Sequence, residues 1–224
     1  MGQIGTMITG AGVVTPLVGQ ASCPEVIYLG DIDTSNALQG LQVEVDGIPF
    51  FNVVNNAALM NAYAKWLNET AGAGVVGLGV RVATGKIEKN TTIRLTNNGV
   101  TTPAIRAYSS GKDGVPMLVA TKGVNALSGE DFSKFSALII DVPANVNNIE
   151  VYFKDGHRET WTVQDADAYF NQFNQSETDG RLGGCTVIDN TGRQFESVRI
   201  NATTALTVLV AKLPDGSFEV LKNK

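Results

Sequence analysis

The stretch Ile149-Glu150-Val151-Tyr152-Phe153-Lys154-Asp155-Gly156 decides the fold, because apolar and polar residues alternate along it until an Asp-Gly pair ends the pattern. Alternation with a period of two is typical of a half-buried strand, and Asp-Gly is a strong hairpin signal. An apolar stripe follows at the i, i+3, i+4 and i+7 spacing of an amphipathic helix, and it consists of Ala166, Tyr169, Phe170 and Phe173. Thr162 and Asp165 in front of it resemble a capping box. The stretch therefore predicts a hairpin followed by one short helix whose stripe faces the core.

The same succession occurs earlier in the chain. Asp46-Gly47 lies 109 positions before Asp155-Gly156, and an earlier helical stripe lies 107 positions before the later one. The earlier stripe consists of Leu59, Ala62, Tyr63, Trp66 and Leu67, with Asn55 or Asn56 available as its cap. Two further matches follow in the same order, Thr84-Gly85-Lys86 with Thr191-Gly192-Arg193 and Ile93-Arg94-Leu95 with Val198-Arg199-Ile200. Four ordered matches at nearly constant spacing indicate an internal duplication.

The remainder of the chain is predicted to be β-structure. Period-two alternation recurs at residues 43–46, 93–96 and 198–201, and the mainly apolar runs 138–140 and 206–210 are typical of strands buried on both faces. Asp-Gly and Asn-Gly turn signals separate the strands at short intervals. Each half has room for eight strands of about five or six residues. The predicted fold class is all-β with two short inserted helices, in two halves that are each a small sandwich or barrel.

The domain limits follow from charge and turn composition. Residues 1–24 carry no charged side chain before Glu25, and we expect an extended N-terminal arm that becomes ordered against a neighbour or an apolar surface. A frayed terminus is an equally good interpretation. Glycine and polar residues interrupt every apolar run there, so neither a signal peptide nor a spanning helix is predicted. The first barrel is expected at 25–125 and the second at 134–224, with a boundary near Gly123–Lys134.

The composition limits the class of function. Charged residues make up 17% of the chain, below the roughly 25% of an ordinary soluble protein, and 43% of the residues are hydrophobic. That much apolar material builds a core and argues against disorder. The net charge of −5 argues against a protein that coats nucleic acid, because phosphate contacts need clustered Lys and Arg. We therefore expect no direct nucleic-acid partner.

No catalytic residue is predicted. His157 is the only histidine, so a metal site built on several histidines is excluded, and any triad would have to use this one residue. Its position directly after Asp155-Gly156 indicates a solvated turn instead. Asp165 and Asp167 lie at the start of a helix, where the helix dipole explains them. The residues thus indicate that the protein is not an enzyme.

No cofactor or metal site is predicted either. Cys23 and Cys185 match no metal motif and are expected to be small buried hydrophobes. Gly72–Gly77 matches the dinucleotide-binding fingerprint, but the helix precedes these glycines instead of following them. A calcium-loop pattern begins at Asp31, yet its sixth and twelfth positions hold Asn36 and Gln42 in place of Gly and Glu. A simpler calcium site shared with a neighbouring chain stays open.

Two segments resemble the major capsid protein of the corticoviruses. The stretch Leu38-Gln39-Gly40-Leu41-Gln42-Val43-Glu44-Val45-Asp46-Gly47, followed by a helix and then Gly74-Val75-Val76-Gly77-Leu78, is similar to the first half of that protein. The segment from Leu138 through Gly156 to Phe173 resembles the same element in its second barrel. The resemblance implies a double jelly roll, which consists of two eight-stranded barrels.

The resemblance also implies a function as a structural protein of the virion, located in its capsid shell. In that family three chains form a pseudo-hexagonal trimer, and the trimers tile an icosahedral shell over an internal lipid membrane. Lipid-containing single-stranded DNA phages of flavobacteria use a similar coat. The implied partners are two further copies of the chain, neighbouring capsomers, minor capsid and vertex proteins, and the membrane. No catalytic residue or cofactor comes with the family, and a structural calcium ion is implied by resemblance alone.

Two alternatives stay open. A chain this short for a double jelly roll could be a minor capsid or vertex protein instead of the main coat. A β-sandwich module that binds carbohydrate or acts as an adhesin would expose aromatic side chains on one sheet face, whereas only 7% of these residues are aromatic and several lie in the helical stripes. An enzyme of the cupin type is excluded, because cupins hold their metal with several histidines.

Overall fold

The computed structural model describes residues 2–7, 13–18, 23–30, 41–45, 47–53, 56, 58–60, 62–63, 65–66, 80–87, 92–97, 105–109, 118–170 and 184–212. They fall into two compact units, the first between Met1 and Ala120 and the second at Thr121–Lys212. Each unit contains two sheets in which four strands are neighbours.

The first unit has eight strands before residue 110. These strands are β1 (Gly2–Met7), β2 (Val13–Val18), β3 (Cys23–Gly30), β4 (Leu41–Val45), β5 (Ile48–Val53), β6 (Val80–Ile87), β7 (Thr92–Asn97) and β8 (Ile105–Ser109). One set of neighbours runs β1-β8-β3-β6 and the other β2-β7-β4-β5. All pairs within these two sets are antiparallel.

The next eight strands build the second unit, which the chain enters along β9. They are β9 (Leu118–Val124), β10 (Glu130–Ser133), β11 (Ala137–Ile140), β12 (Val146–Phe153), β13 (Arg158–Trp161), β14 (Thr186–Asp189), β15 (Phe195–Ala202) and β16 (Leu206–Lys212). Their neighbours run β9-β16-β11-β14 and β10-β15-β12-β13. A 3-10 turn at Pro143–Asn145 joins β11 to β12.

The two units have the same strand order. In each, the first, eighth, third and sixth strands are neighbours in one sheet, and the second, seventh, fourth and fifth are neighbours in the other. Two four-stranded sheets connected in this way form a jelly roll. The structure therefore confirms the predicted fold class, a double jelly roll.

One helix follows the fifth strand of each unit, at the equivalent place. The first, α1, is described at residues 58–60, 62–63 and 65–66, and Asn56 caps it by accepting a hydrogen bond from the Leu59 backbone amide at 3.0 Å. The second, α2 (Val163–Tyr169), begins with the predicted capping box formed by Thr162 and Asp165. Both predicted helices are confirmed, while Leu67 and Phe173 lie outside the described residues.

The core of the second unit follows from the period of its strands. Along β12, Ile149 and Val151 are buried and Glu150 between them faces outward, as the alternation predicts. All four residues of β11 and all four of β14 are buried, which confirms that Leu138–Ile140 lies in a strand covered on both faces. The amide of Asn190 is buried as well, and it bonds the main chain of Phe135 and Phe195 at 2.9 to 3.2 Å.

The observed domain limits differ from the expected ones. The expected arm at 1–24 contains β1 and β2, which pair with β8 and β7 inside the first unit. The expected boundary near Gly123–Lys134 holds the end of β9, a turn and β10, all within the second unit. Polar composition identified a turn at this place, and turns inside a barrel have the same composition as linkers.

One of the four repeat matches does not join equivalent structures. Thr84-Gly85-Lys86 lies within strand β6, whereas Thr191-Gly192-Arg193 belongs to the turn after β14. The other matches do correspond, since both Asp-Gly pairs connect the fourth and fifth strands, and residues 93–95 and 198–200 lie in the seventh strands.

Candidate functional site

An aromatic cluster joins α2 to the hairpin of β12 and β13. Trp161 at the end of β13 is only 6% exposed, and its ring centre lies 4.9 Å from that of Tyr169 and 6.0 Å from that of Phe195. Tyr169 is 51% exposed, and its hydroxyl bonds Gln194 at 3.2 Å. The prediction that the whole helical stripe faces the core is therefore wrong at Tyr169, although Ala166 and Phe170 are buried.

An open groove of about 640 Å³ borders this cluster, lined by Glu159, Thr160, Trp161, Asp165, Ala168 and Tyr169. Both of its carboxylates are engaged by the chain itself. Glu159 accepts a hydrogen bond from the Trp161 indole and lies 2.9 Å from His157 Nε2. Asp165 accepts hydrogen bonds from the Thr162 amide at 2.8 Å and the Thr162 hydroxyl at 2.7 Å.

These hydrogen bonds determine what the two carboxylates can do. The bond from Trp161 is the largest cause that lowers the pKa of Glu159, and the bond from the Thr162 amide does the same for the pKa of Asp165. A general base works best when its pKa is near the working pH, so lowered values make poor bases. The groove is thus a structural junction in which the carboxylates hold the hairpin and cap the helix.

The outward face of β12, β13 and β15 carries a polar network centred on Glu150. This carboxylate accepts hydrogen bonds from the Tyr152 hydroxyl at 2.9 Å, from Asn201 at 3.0 Å and from the Arg158 guanidinium. The Tyr152 bond is the largest cause that lowers the pKa of Glu150, against the opposing effect of desolvation. Arg158 also lies over the Tyr152 ring, 5.1 Å from its centre.

The same network continues toward β10. Asn201 donates to Asn148 at 2.8 Å, and Arg199 donates to Asp131. Two carboxylates, Glu150 and Asp131, are thereby balanced by two guanidinium groups. The result is a sheet face that is polar, locally neutral and held in one arrangement by its own hydrogen bonds.

The residues that the sequence offered as candidate catalytic or metal-binding sites have structural positions in the chain. His157 is exposed in its turn, where its amide donates to Asp155 at 2.9 Å, and Cys185 is buried just before β14, so both interpretations are confirmed. Asp167 accepts a hydrogen bond from the Thr186 hydroxyl at 2.8 Å. Three of the candidates lie outside the described part of the structure, namely the Cys23 side chain and the segments Asp31–Asn36 and Gly72–Gly77. Gln42, the twelfth position of the calcium-loop pattern, donates a hydrogen bond to Asn52 at 2.9 Å.

Within the described ranges, no group of three His, Cys, Asp or Glu side chains is arranged to hold a metal ion. No helix among the same residues is long and apolar enough to cross a membrane. The polar network around Glu150 was not predicted from the sequence. The polar residues of the network are visible in the sequence as the outward-facing positions of the alternating strands. Which of them contact one another depends on the pairing of strands that are far apart in the chain.

Neither a protein-family model nor a curated protein matches the sequence. Among solved structures, the chain is similar to the major capsid protein P2 of bacteriophage PM2, with a TM-score of 0.55 and 14% identity over 95% of this chain and 98% of that one. It also matches VP54 of PBCV-1, which was fitted into a reconstruction of the virophage Sputnik, with a TM-score of 0.40 and 8% identity over 93% of this chain and 92% of that one.

The match to P2 extends over nearly the whole of both chains, so it covers the two barrels and not one of them alone. Identity at this level shows the fold. The chain therefore has the double jelly-roll fold of the PM2 major capsid protein, and the resemblance to corticovirus coat proteins predicted from its residues is confirmed at the level of the fold.

Proposed function

We propose that the protein is a viral capsid protein that builds the virion shell from copies of itself. One observation carries the proposal: the chain contains the same eight-stranded order twice, with a helix after the fifth strand of each barrel. The likeness to a major capsid protein over 95% of the chain supports it. The groove beside α2 supports a role without catalysis, because its carboxylates are used in structural hydrogen bonds.

The proposed capsomer is a homotrimer. Three chains with two barrels each supply six similar units, which is the number that a pseudo-hexagonal outline requires. We propose that these trimers tile an icosahedral shell over an internal membrane, beside minor capsid and vertex proteins. The net charge of −5 is consistent with a shell separated from the genome by lipid, since direct packing on nucleic acid would favour a basic chain.

The test is the native mass of the purified protein, followed by negative-stain microscopy of the same sample. A mass of three times 23.7 kDa and particles with a hexagonal outline support the major-coat proposal. Five copies per particle would favour a vertex protein instead. The proposal of an internal membrane predicts that purified virions contain phospholipid and lose their integrity in organic solvent.

A stable monomer that binds a glycan would contradict the capsid proposal and favour the carbohydrate-binding module. Such a module needs aromatic rings exposed along a sheet face. Among the side chains that the structure describes, the strongly exposed aromatic is Tyr169, and it lies on a helix. This observation favours the coat protein.

A further inference from the structure

The groove beside α2 carries negative charge that no lysine or arginine of the described residues balances. Its lining includes the carboxylates of Glu159 and Asp165 and no permanent cation. The groups that hydrogen-bond Asp165 there are the neutral amide and hydroxyl of Thr162. Those that approach Glu159 are the neutral Trp161 indole and His157, and histidine, unlike lysine and arginine, is not a permanent cation. A neutral donor stabilises the charge of a carboxylate without cancelling it.

Carboxylates on the outward sheet face of the same barrel are paired with cations instead. The Glu150 carboxylate pairs with the guanidinium of Arg158. The Asp131 carboxylate pairs with that of Arg199. Both groove carboxylates are ionised at neutral pH, because the hydrogen bonds that they accept lower the pKa of each. The groove is thus the place where the fold leaves negative charge open to a cation from outside.

An aromatic ring lines the groove beside the two carboxylates. The Tyr169 ring is half-exposed, its centre lies 4.9 Å from that of the buried Trp161 ring, and its hydroxyl bonds Gln194 at 3.2 Å. The ring is therefore held in place while part of it faces solvent. A guanidinium group suits such a surface, because this planar cation stacks on an aromatic ring and donates several hydrogen bonds to carboxylates. The ammonium group of lysine lacks the planar shape, so the groove favours arginine.

The same groove follows the outer edge of strand β13. Among the described strands, β13 has β12 as its one neighbour. The Phe153 amide donates to the His157 carbonyl at 2.9 Å, so alternate residues from His157 onward direct their main-chain groups to β12. Thr160 lies between two of these residues, so its amide and carbonyl point away from β12, and Thr160 lines the groove. An extended segment can therefore pair with this edge as an added strand.

We propose that the groove between β13 and α2 is a docking site for an extended segment of a partner protein that carries an arginine. The main chain of this segment pairs with β13 at Thr160, and its guanidinium lies against Tyr169 and the carboxylates of Glu159 and Asp165. Charge complementarity selects this occupant, because the two carboxylates repel a nucleic acid or an anionic lipid. The groove is open, so an arginine can reach it while it is attached to a chain. The site goes beyond the proposed function and does not depend on it.

The test measures binding of a fluorescently labelled peptide, Val-Thr-Arg-Thr-Val-amide, to the full chain by fluorescence anisotropy at physiological salt. The comparison peptide has citrulline in place of arginine, which keeps the planar shape and removes the charge. We expect the arginine peptide to bind about tenfold more tightly, because charge-assisted hydrogen bonds are the stronger ones. Equal affinity for the two peptides overturns the proposal, and so does a lack of binding of the arginine peptide up to about 1 mM.

Substitutions locate the bound peptide. Glu159→Gln and Asp165→Asn in one chain remove both groove charges but keep an oxygen that accepts the same hydrogen bonds, and we expect affinity for the arginine peptide to fall about tenfold. Tyr169→Leu removes the ring, leaves the helix cap untouched and should lower the affinity about threefold. The melting temperature shows that each variant is folded. Unchanged affinity in Tyr169→Leu or in a folded double variant places the peptide elsewhere and overturns the proposal.

Two controls separate this site from general attraction. Asp155→Asn removes one negative charge from the same hairpin outside the groove, and the asparagine oxygen can still accept the bond from the His157 amide. We expect this variant to bind the arginine peptide as the wild type does, and an equal loss of affinity would contradict a specific site. N-acetyl-arginine amide should compete weakly. Competition as strong as that of the peptide would replace the strand-docking site with a site for small cations.

Discussion

The helices of the two barrels occupy the same place in the strand order but are buried to different extents. On α1, all four described stripe residues, Leu59, Ala62, Tyr63 and Trp66, are fully buried. On α2, the position 107 residues after Ala62 is Tyr169, and it is 51% exposed. Periodicity in the sequence specifies which residues share a helix face. How much of that face is covered depends on the elements that pack against it.

The two helices also begin differently. The Asn56 side chain caps α1, whereas α2 has a reciprocal capping box. In that box the Thr162 hydroxyl oxygen accepts from the Asp165 amide, and the Asp165 carboxylate accepts from the Thr162 amide. A helix of seven residues with one partly exposed face gains little from burial, so its cap matters more. The comparison predicts that α1 depends mainly on packing and α2 mainly on its cap.

The largest effect is expected from removal of residues 1–24. The deletion takes away β1, β2 and the first two residues of β3. It therefore leaves β8 with only the shortened β3 as a neighbour and β7 with only β4. We expect the first unit to lose its cooperative unfolding transition in calorimetry, while the second unit keeps its own. A truncated protein that unfolds like the full chain would show that these residues form a separable arm.

Trp66→Ala should destabilise the first barrel by about 3–5 kcal/mol, because the indole is fully buried and its removal leaves a cavity. The free energy of unfolding by urea gives the measurement. Trp66→Phe is the control, and we expect it to cost clearly less since it retains most of the buried ring. A loss below about 1 kcal/mol for Trp66→Ala would contradict the packing of α1.

A reciprocal exchange at the equivalent positions sharpens the comparison. Ala62→Tyr inserts a ring where there is no room, and overpacking of this kind costs about 1–3 kcal/mol or more. Tyr169→Ala removes a ring that is half in water, so we expect a smaller loss in the same urea experiment. Equal losses for the two variants would show that the two helix faces are covered alike.

Thr162→Ala should cost about 1 kcal/mol, the usual value for loss of an N-cap side chain. Thr162→Ser keeps the hydroxyl and serves as the control, with stability close to that of the wild type. Amide hydrogen exchange of α2 would locate the effect. Protection that stays unchanged along α2 in the alanine variant would contradict a helix that depends on its cap.

The smallest effect concerns acid. Hydrogen bonds from Thr162 lower the pKa of Asp165 in the folded state, so the stability that they contribute is present above the unfolded pKa of about 4. It is lost as the pH falls through the lower folded pKa. We expect the amide protection factors of α2 to fall more than those of α1 on acidification below about pH 4. The reason is that the Asp165 carboxylate titrates there, whereas the Asn56 cap of α1 does not titrate. Asp165→Asn should remove this difference, and its persistence would exclude Asp165 as the cause.

Much of the fold could be predicted from local patterns. The alternation at residues 149–154 identified β12, and the Asp-Gly signals identified the hairpins of both barrels. The capping box at Thr162 was visible because its partners are three residues apart. Each of these features is decided by residues close together in the chain.

Other features could not be read in this way. Residues 2–7 contain two glycines and residues 13–18 contain Pro16, so neither segment had a clear strand signal. Pairing with residues 74 to 107 positions later defines both segments as strands. The buried side-chain amide of Asn190 donates to the main-chain carbonyls of Phe135 and Phe195, and Phe135 lies 55 positions earlier in the chain. Contacts over such separations leave no local pattern.

The sequence by itself determined the periodicity of the strands, the two helices with their capping residues, and the duplication that implied two barrels. Only the tertiary structure decided that the first two dozen residues contribute strands to the first barrel and that Tyr169 is half-exposed. The same is true of Leu127, which is exposed in a hydrogen-bonded turn. The physical reason is the range of the interactions. Backbone period, capping and turns act over a few residues, whereas strand pairing and burial depend on segments that meet only when the barrel closes.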